Sequence, residues 1–83
     1  MAGKTIILVQ VTNRLKDAPT VQKTLTEHGC NIKTRLGLHE VGDNSCSGTG
    51  LLILETFGKA KEIETFFGKL KKIRGLKVKK VTF

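Results

Sequence analysis

The chain has 83 residues, of which 39% are hydrophobic and 27% charged, and it carries a formal net charge of +8. A chain of this length holds one core, and no stretch approaches the roughly 20 consecutive apolar residues that span a bilayer. With two cysteines and no pattern of a secretory leader, we expect a single cytoplasmic domain over residues 1–83.

The basic residues are concentrated towards the end of the sequence. Nine of the fifteen lie between Lys59 and Lys80, where Glu62 and Glu64 are the acidic residues. Such asymmetry is typical of proteins that bind an acidic partner, which could be nucleic acid, a protein or a small anion. A solvated lysine face without a dedicated partner explains the same pattern.

The first half of the sequence predicts a strand, a helix and a second strand. Residues 4–12 are rich in β-branched side chains, as in a strand. Asp17 can cap a helix that has Pro19 in its first turn, and Gly29 supplies the end of that helix. Apolar and polar residues then alternate over Ile32–His39, which indicates a half-buried strand.

The second half repeats this order after a polar loop over residues 41–50. The pattern predicts a strand over residues 51–57, a helix from Lys59 to Gly75 and a strand over residues 76–83. Phe66 and Phe67 belong to the apolar face of the helix, so we expect both to face the core. The apolar alternation slips between Val78 and Val81, which indicates either a bulge or a strand that serves two faces.

Two strand–helix–strand units with right-handed crossovers predict an α+β fold, the ferredoxin-like βαββαβ sandwich. Its four antiparallel strands have the order 4-1-3-2, and both helices lie on one face. The predicted central strands, the first and third, have apolar residues at both odd and even positions, such as Ile6 and Ile7, and so are apolar on both faces. The predicted edge strands carry lysines such as Lys33 and Lys77, which is typical of exposed edges.

This architecture leaves the second face of the sheet without a helix. Burying one Leu or Ile contributes about 1.5–3 kcal/mol, so several of them in water form a patch that monomers rarely expose. We therefore expect a second subunit to pack on this face. Helix ends and the loop of the same chain are the alternative cover.

Four side chains could ligate a soft metal: His28, Cys30, His39 and Cys46. None has the spacing of an established metal motif, although His39 and Cys46 could meet if the loop doubled back. We expect Cys30 to be a small core residue. Cys46 has no nearby helix start or cationic side chain to activate its thiol, and no carboxylate pair is placed for acid–base chemistry. The sequence therefore predicts a protein that is not an enzyme.

Nucleic acid is a further candidate partner, because the RNA-recognition module shares this element order. That module stacks bases on aromatic residues of its first and third strands. Here those strands hold a single aromatic residue, Phe57, at the far end. Only nonspecific attraction to phosphates is left, which makes specific nucleic-acid binding a weak alternative.

The stretch VTNRLKDAPTVQKTLTEHGCNI, residues 11–32, resembles the opening of an ACT domain, a small-molecule-sensing module of regulatory proteins. Such domains commonly have Asn/Asp-Arg-Pro-Gly before the first helix and Gly-x-Asn-Ile after it. Asn13, Arg14, Gly29, Asn31 and Ile32 fall at the matching places. Through GCNIKTRLGLHE and its element order, the whole chain resembles the small stand-alone regulators of the iron-only hydrogenase system, relatives of the ligand-binding domain of the nickel-responsive regulator.

The resemblance implies subunits assembled side by side or face to face, with a ligand between the first turn and the second strand of a neighbour. That turn is Asn13, Arg14, Leu15 and Lys16, in which Leu15 and Lys16 replace the usual Pro-Gly. A lysine next to a helix start favours a small anion over an amino-acid effector. A solvated turn with a helix cap is the alternative. Gly37 could admit the neighbour or the ligand, or could mark a plain bulge.

The sequence thus predicts a non-enzymatic ACT-like regulatory or ligand-sensing module that works as a homo-oligomer. The chain starts directly at its first strand, so a regulator of transcription built this way would act through another protein. The alternatives are a basic protein associated with nucleic acid and a nickel-type metal sensor that uses His39 and Cys46. The cofactor and the effector are not identified by any motif.

Overall fold

The structure, a computed structural model, describes residues 4–12, 16, 18–39 and 50–83. Its strands and helices follow the predicted order. The elements are β1 (Thr5–Val11), α1 (Ala18–Glu27), β2 (Ile32–His39), β3 (Gly50–Thr56), α2 (Ala60–Lys71) and β4 (Leu76–Thr82). A 3₁₀ turn, Gly29–Asn31, joins α1 to β2. Most of the predicted loop between β2 and β3 lies outside the described residues.

The four strands form one antiparallel sheet of order β2-β3-β1-β4. This is the predicted order read from the opposite edge, and the ferredoxin-like α+β fold is confirmed. The apolar strands β1 and β3 are central, whereas the lysine-bearing strands β2 and β4 are the edges. Charged side chains on edge strands discourage unplanned pairing with other chains, which explains this distribution.

Both helices pack on the same side of the sheet, which we call the covered face. Its core consists of Ile7, Val9 and Leu54 from the sheet, Val21 and Leu25 from α1, and Ile63, Phe66 and Leu70 from α2. Phe66 is the largest fully buried side chain, as the helical periodicity predicted. Phe67 is partly buried against this core, and its ring lies under the ammonium groups of Lys71 and Lys80.

In both edge strands the observed pairing differs from what the apolar alternation indicates: β2 has a register shift that the sequence does not signal, and β4 has none where the alternation slips. In β2 the pairing with β3 shifts between Ile32 and Thr34, so Ile32 packs on the core while Leu36 points to the other face. The alternation over β2 therefore spans two faces. In β4 the pairing with β1 has no shift between Thr82 and Leu76. Val78 and Val81 break the apolar alternation because they lie on opposite faces of a regular strand, and no bulge is present between them.

Hydrogen bonds of the Asn31 side chain connect the start of β2 to the turn between β3 and α2. Asn31 Nδ2 donates to the Phe57 carbonyl and to the Glu62 carboxylate, both at 3.2 Å. The same Glu62 oxygen accepts the backbone N–H of Lys59 at 3.3 Å and so caps α2. Gly58 makes this turn with a φ of 108°, in the left-handed region that favours glycine.

Candidate functional site

The turn that the resemblance implies as a ligand site lies between β1 and α1. Asn13, Arg14 and Leu15 lie outside the described residues. Lys16 is described and exposed, two residues before α1 begins. The structure thus places one member of this turn, a cation next to the amino end of a helix, where anions are favoured.

Gly37, the second predicted part of the site, lies in regular register with Leu52 of β3. A bulge is present in β2, but it lies between Ile32 and Thr34, so the plain-bulge explanation of Gly37 is wrong. A Cβ added at Gly37 would lie 3.4 Å from Leu52 Cδ2. The Leu52 side chain therefore lies against Gly37, at the limit of ordinary van der Waals contact for an added methyl group.

The topology brings the end of β1 and the end of β2 to the same end of the sheet. Val11, the last residue of β1, pairs with Gly50, which also pairs with His39 at the end of β2. The strands β1 and β2 are therefore parallel to each other and separated only by β3. At about 4.8 Å per strand, the backbones of Val11 and His39 stand roughly 10 Å apart, and Gly37 lies two residues further into the sheet, in line with Val9.

Arg35 and Gln22 connect this edge to the helix layer, a contact that sequence reasoning missed. Arg35 Nη2 donates to Gln22 Oε1 at 3.3 Å, and both side chains are exposed. Arg35 shares the covered face with Gly37, because alternate residues of a strand point to one side. The bond therefore places a guanidinium on the same face of β2 as Gly37. No motif links positions 22 and 35, so only the packing of α1 on β2 reveals it.

The predicted metal ligands do not assemble among the described residues. His39 ends β2, and Cys46 lies outside the described residues, so their meeting is not tested. Within residues 4–12, 16, 18–39 and 50–83 no three His, Cys, Asp or Glu side chains form a group able to hold a metal ion. The prediction that Cys30 is a core residue is wrong. The 3₁₀ turn points this free thiol into solvent, and the following Ile32 enters the core instead.

His28 stacks on Phe66 at a ring-centroid distance of 4.8 Å and an interplanar angle of 21°. Its Nε2 is buried and has no hydrogen-bond partner among the described residues. Burial lowers the pKa of His28 below its usual 6.5, the nearby Lys69 lowers the pKa further, and Glu27 partly opposes them. The imidazole therefore favours its neutral form, as buried ionisable groups do.

The side of the sheet opposite the helices, which we call the open face, carries most of the exposed large apolar side chains. Its members are Ile6 and Leu8 of β1, Leu36 of β2, Leu51 and Ile53 of β3, and Val81 of β4. Leu36 is 49% exposed and Val81 is 45% exposed. No helix or strand of the described residues lies on this face. The central strands are thus apolar on both sides, as predicted.

Within the part of the chain that the structure describes, the open face carries one carboxylate. Glu55 pairs with Lys4 and accepts a hydrogen bond from the Thr34 hydroxyl at 2.8 Å. The bond from Lys4, followed by the bond from Thr34, holds the pKa of Glu55 below its usual value. The carboxylate is therefore ionised and satisfied by its own chain at neutral pH.

Two exposed aromatic rings lie at one end of the sheet, close to Lys4. Phe57 follows β3 and is 51% exposed, and Phe83 follows β4 and is 78% exposed. The backbone N–H of Phe83 donates to the Lys4 carbonyl at 2.9 Å, which continues the pairing of β4 with β1. Sequence reasoning found Phe57 but missed Phe83, because it looked for aromatic residues only in the central strands.

The basic residues of the second half lie on α2, in the turn that follows it and on β4. Lys69, Lys71, Lys72 and Arg74 are exposed at the end of α2 and in the turn that follows it. Across the described residues the ion pairs are Lys4 with Glu55 and Lys80 with Glu64. Most of this positive charge is therefore not paired with a carboxylate within the described residues.

No protein-family model matches this chain, and no curated protein matches it either. Among solved structures, the chain is similar to an uncharacterized protein from Thermotoga maritima, with 23% identity and a TM-score of 0.80 over 100% of this chain and 99% of that one. It is also similar to part of a formyltetrahydrofolate deformylase from Pseudomonas putida, with 16% identity and a TM-score of 0.50 over 94% of this chain and 28% of that one. These similarities support the ferredoxin-like, ACT-like fold.

Among the described residues, neither helix is long and apolar enough to cross a membrane.

Proposed function

We propose that this chain is a non-enzymatic, ACT-like regulatory module that senses a small ligand and works as a homo-oligomer assembled through its open face. Within that class, the sequence resemblance favours the small regulators of the iron-only hydrogenase system. The observation that carries the proposal is the open face itself. Leu36, Leu51 and Val81 are more than a third exposed there, beside the half-buried Ile6 and Ile53.

The size of the open face fits association of two copies. Four strands about 4.8 Å apart, each of seven residues at about 3.3 Å, give roughly 450 Å² of flat area on each copy. Two flat faces in contact bury roughly 900 Å², without counting the relief of the side chains, which lies below the roughly 1,200 Å² of stable interfaces and in the range of weak, transient ones. We therefore expect an assembly that dissociates in the micromolar range.

Sedimentation equilibrium at several protein concentrations tests the assembly. The wild-type chain is expected to shift from one copy to a larger species between low and high micromolar concentrations. The double variant Leu36→Asp/Val81→Asp places two carboxylates on the open face and should stay monomeric while keeping its far-UV circular dichroism. The matched control Thr26→Asp/Thr65→Asp adds the same charge on the exposed surfaces of α1 and α2 and should assemble as the wild type does. A wild-type chain that stays monomeric at high micromolar concentration contradicts the proposal.

The proposed effector is a small anion held at the turn before α1. Lys16 supplies a positive charge beside the helix start, and the neighbouring Arg14 is the second basic residue of the turn. Titration calorimetry with inorganic phosphate and with a panel of small carboxylates tests this part. Binding should be lost in Arg14→Ala/Lys16→Ala and kept in Lys59→Ala/Lys61→Ala. Binding that survives the first pair contradicts the site.

Association with single-stranded nucleic acid is the second candidate function. It is favoured by the exposed rings of Phe57 and Phe83, which offer stacking surfaces next to Lys4. Binding of an RNA oligonucleotide would weaken steeply between 50 and 200 mM salt, whereas effector binding would change little. Phe57→Ala/Phe83→Ala should then weaken RNA binding and leave the assembly unchanged.

A further inference from the structure

We propose that the free edge of β4 is the docking site for an extended acidic segment of a partner protein, which adds to the sheet as a fifth strand. This inference names the partner through which the proposed regulatory module acts, and so it rests on that proposal. It uses the outer edge of β4, where Lys77 and Lys79 lie at the rim of the open face, so binding of the segment and assembly are measured separately.

The strand β4 is regular along its whole length and, among the described strands, has one edge free for the backbone hydrogen bonds of an added strand. β4 pairs with β1 without a shift from Thr82 to Leu76, and within the described residues β1 is its sole neighbouring strand. In an antiparallel pair, alternate residues exchange both backbone hydrogen bonds with the partner strand. The bond from Phe83 N–H to the Lys4 carbonyl shows that odd-numbered residues face β1. Even-numbered residues, such as Val78 and Lys80, therefore direct their backbone groups to the free edge.

The side chains of β4 specify the chemistry of the added strand. Lys77 and Lys79 are exposed on the open-face side, and neither takes part in an ion pair among the described residues. They stand about 7 Å apart, which is the spacing of alternate residues in an adjoining strand. Carboxylates at alternate positions of the partner would each lie beside one lysine. Opposite charges at neighbouring positions across two strands are stabilising.

On the covered side of the same edge the surface is apolar. Val78 is partly buried there, and the half-buried ring of Phe67 lies 4.9 Å from Lys80 Nζ and 5.4 Å from Lys71 Nζ. Lys80 is already paired with Glu64. An apolar side chain of the added strand would therefore be favoured on this side. The edge fits a segment in which acidic and apolar residues alternate.

A second copy of this chain fits the edge poorly. If two β4 strands paired antiparallel about Val78, each Lys77 would lie opposite Lys79 of the other copy. Like charges directly opposite are destabilising, so the lysines that would favour an acidic strand also disfavour self-pairing.

Fluorescence anisotropy with a labelled peptide of alternating Glu and Val, at 150 mM salt, tests the inference. Lys77→Glu/Lys79→Glu should weaken binding about tenfold or more, because two cross-strand attractions become repulsions. The matched control Lys23→Glu/Lys61→Glu makes the same charge change on the exposed surfaces of α1 and α2 and should weaken binding less than threefold. A peptide of alternating Lys and Val should in turn prefer the Lys77→Glu/Lys79→Glu chain. Circular dichroism confirms that each variant is folded.

Backbone pairing has its own readout. Bound peptide should slow amide hydrogen exchange at Val78 and Lys80. A peptide N-methylated at its Val residues, which would lie opposite Val78 and Lys80 in an antiparallel pair, should not bind. Equal weakening by both double variants, or no slowing of exchange, overturns the inference in favour of diffuse charge attraction. Tighter binding of a uridine oligonucleotide than of the peptide, abolished by Lys77→Glu/Lys79→Glu, assigns the edge to nucleic acid and also overturns it. Sedimentation of the same samples reports the assembly separately, so failure of this inference is distinguished from failure of the proposed oligomer.

Discussion

The two faces of the sheet are made by the same four strands but differ in burial. On the covered face Ile7, Val9 and Leu54 have no exposed surface, whereas on the open face Leu36 and Val81 are nearly half exposed. Strand composition does not produce this difference, since the central strands are apolar on both sides. Two right-handed crossovers carry both helices to the same side, and that topology leaves the other side uncovered.

Neighbours in sequence therefore have different roles. Leu54 belongs to the same buried cluster as Phe66, while Ile53 beside it points to the open face. We infer that the covered face provides stability to the single chain and that the open face provides a surface for association. Leu→Ala substitutions on the two faces should therefore differ in their effects on the stability of the single chain and on its association.

The largest effect is expected on the covered face. Leu54→Ala removes a fully buried side chain and leaves a cavity that its neighbours fill only in part. The free energy of unfolding should fall by about 2–5 kcal/mol, as measured by urea denaturation. A loss below about 1 kcal/mol would mean that the covered face is not the stabilising core.

The fold could be predicted from sequence because its signals are local and repeated. Helical periodicity placed Phe66 in the core, and the apolar character of residues 6–9 and 51–54 identified the central strands. The register of β2 could not be read in the same way. Its shift between Ile32 and Thr34 accompanies the bonds that Asn31 makes to a turn 26 residues away, and alternation carries no information about such contacts.

The candidate site was less predictable than the fold. The role of Gly37 depends on Leu52 in the neighbouring strand, and the bond between Arg35 and Gln22 depends on how α1 packs against β2. Cys30 was expected in the core because cysteine is commonly buried, but the 3₁₀ turn rotates it outward. Each of these features is set by tertiary geometry.

The turn that sets α2 over the covered face gives the next largest effect. Gly58→Ala forces a side chain onto a φ of 108° and places its Cβ 2.7 Å from Asn31 Nδ2. We expect a loss of about 1–3 kcal/mol in the free energy of unfolding, because the backbone is strained and the bonds of Asn31 must shift. Gly68→Ala is the matched control. Nothing lies within 4 Å of its added Cβ, and inside α2 it should stabilise the chain by about 0.5–1 kcal/mol. Equal effects of the two substitutions would contradict this account.

The end of α1 gives a smaller, pH-dependent effect. Because burial, with Lys69, lowers the pKa of His28 in the folded chain, the unfolded chain binds more protons near pH 6.5. The free energy of unfolding should therefore be constant above about pH 7 and decrease as the pH falls through 6.5 towards the folded-state pKa. Urea denaturation between pH 5 and 8 measures this slope. His28→Phe keeps a ring against Phe66 and should flatten the slope over that range. A slope unchanged by the substitution would assign the pH dependence to other groups.

The smallest effect on the single chain is expected on the open face, and it sharpens the comparison most. Leu36→Ala should change the free energy of unfolding by less than about 1 kcal/mol in dilute solution, because half of the Leu36 side chain is already in water. If the open face joins two copies, wild-type stability rises with protein concentration, since association stabilises the folded state by mass action. The cost of Leu36→Ala should then grow with concentration, whereas the cost of Leu54→Ala should be nearly the same at every concentration. A large cost of Leu36→Ala in dilute solution would mean instead that the chain itself shields this face.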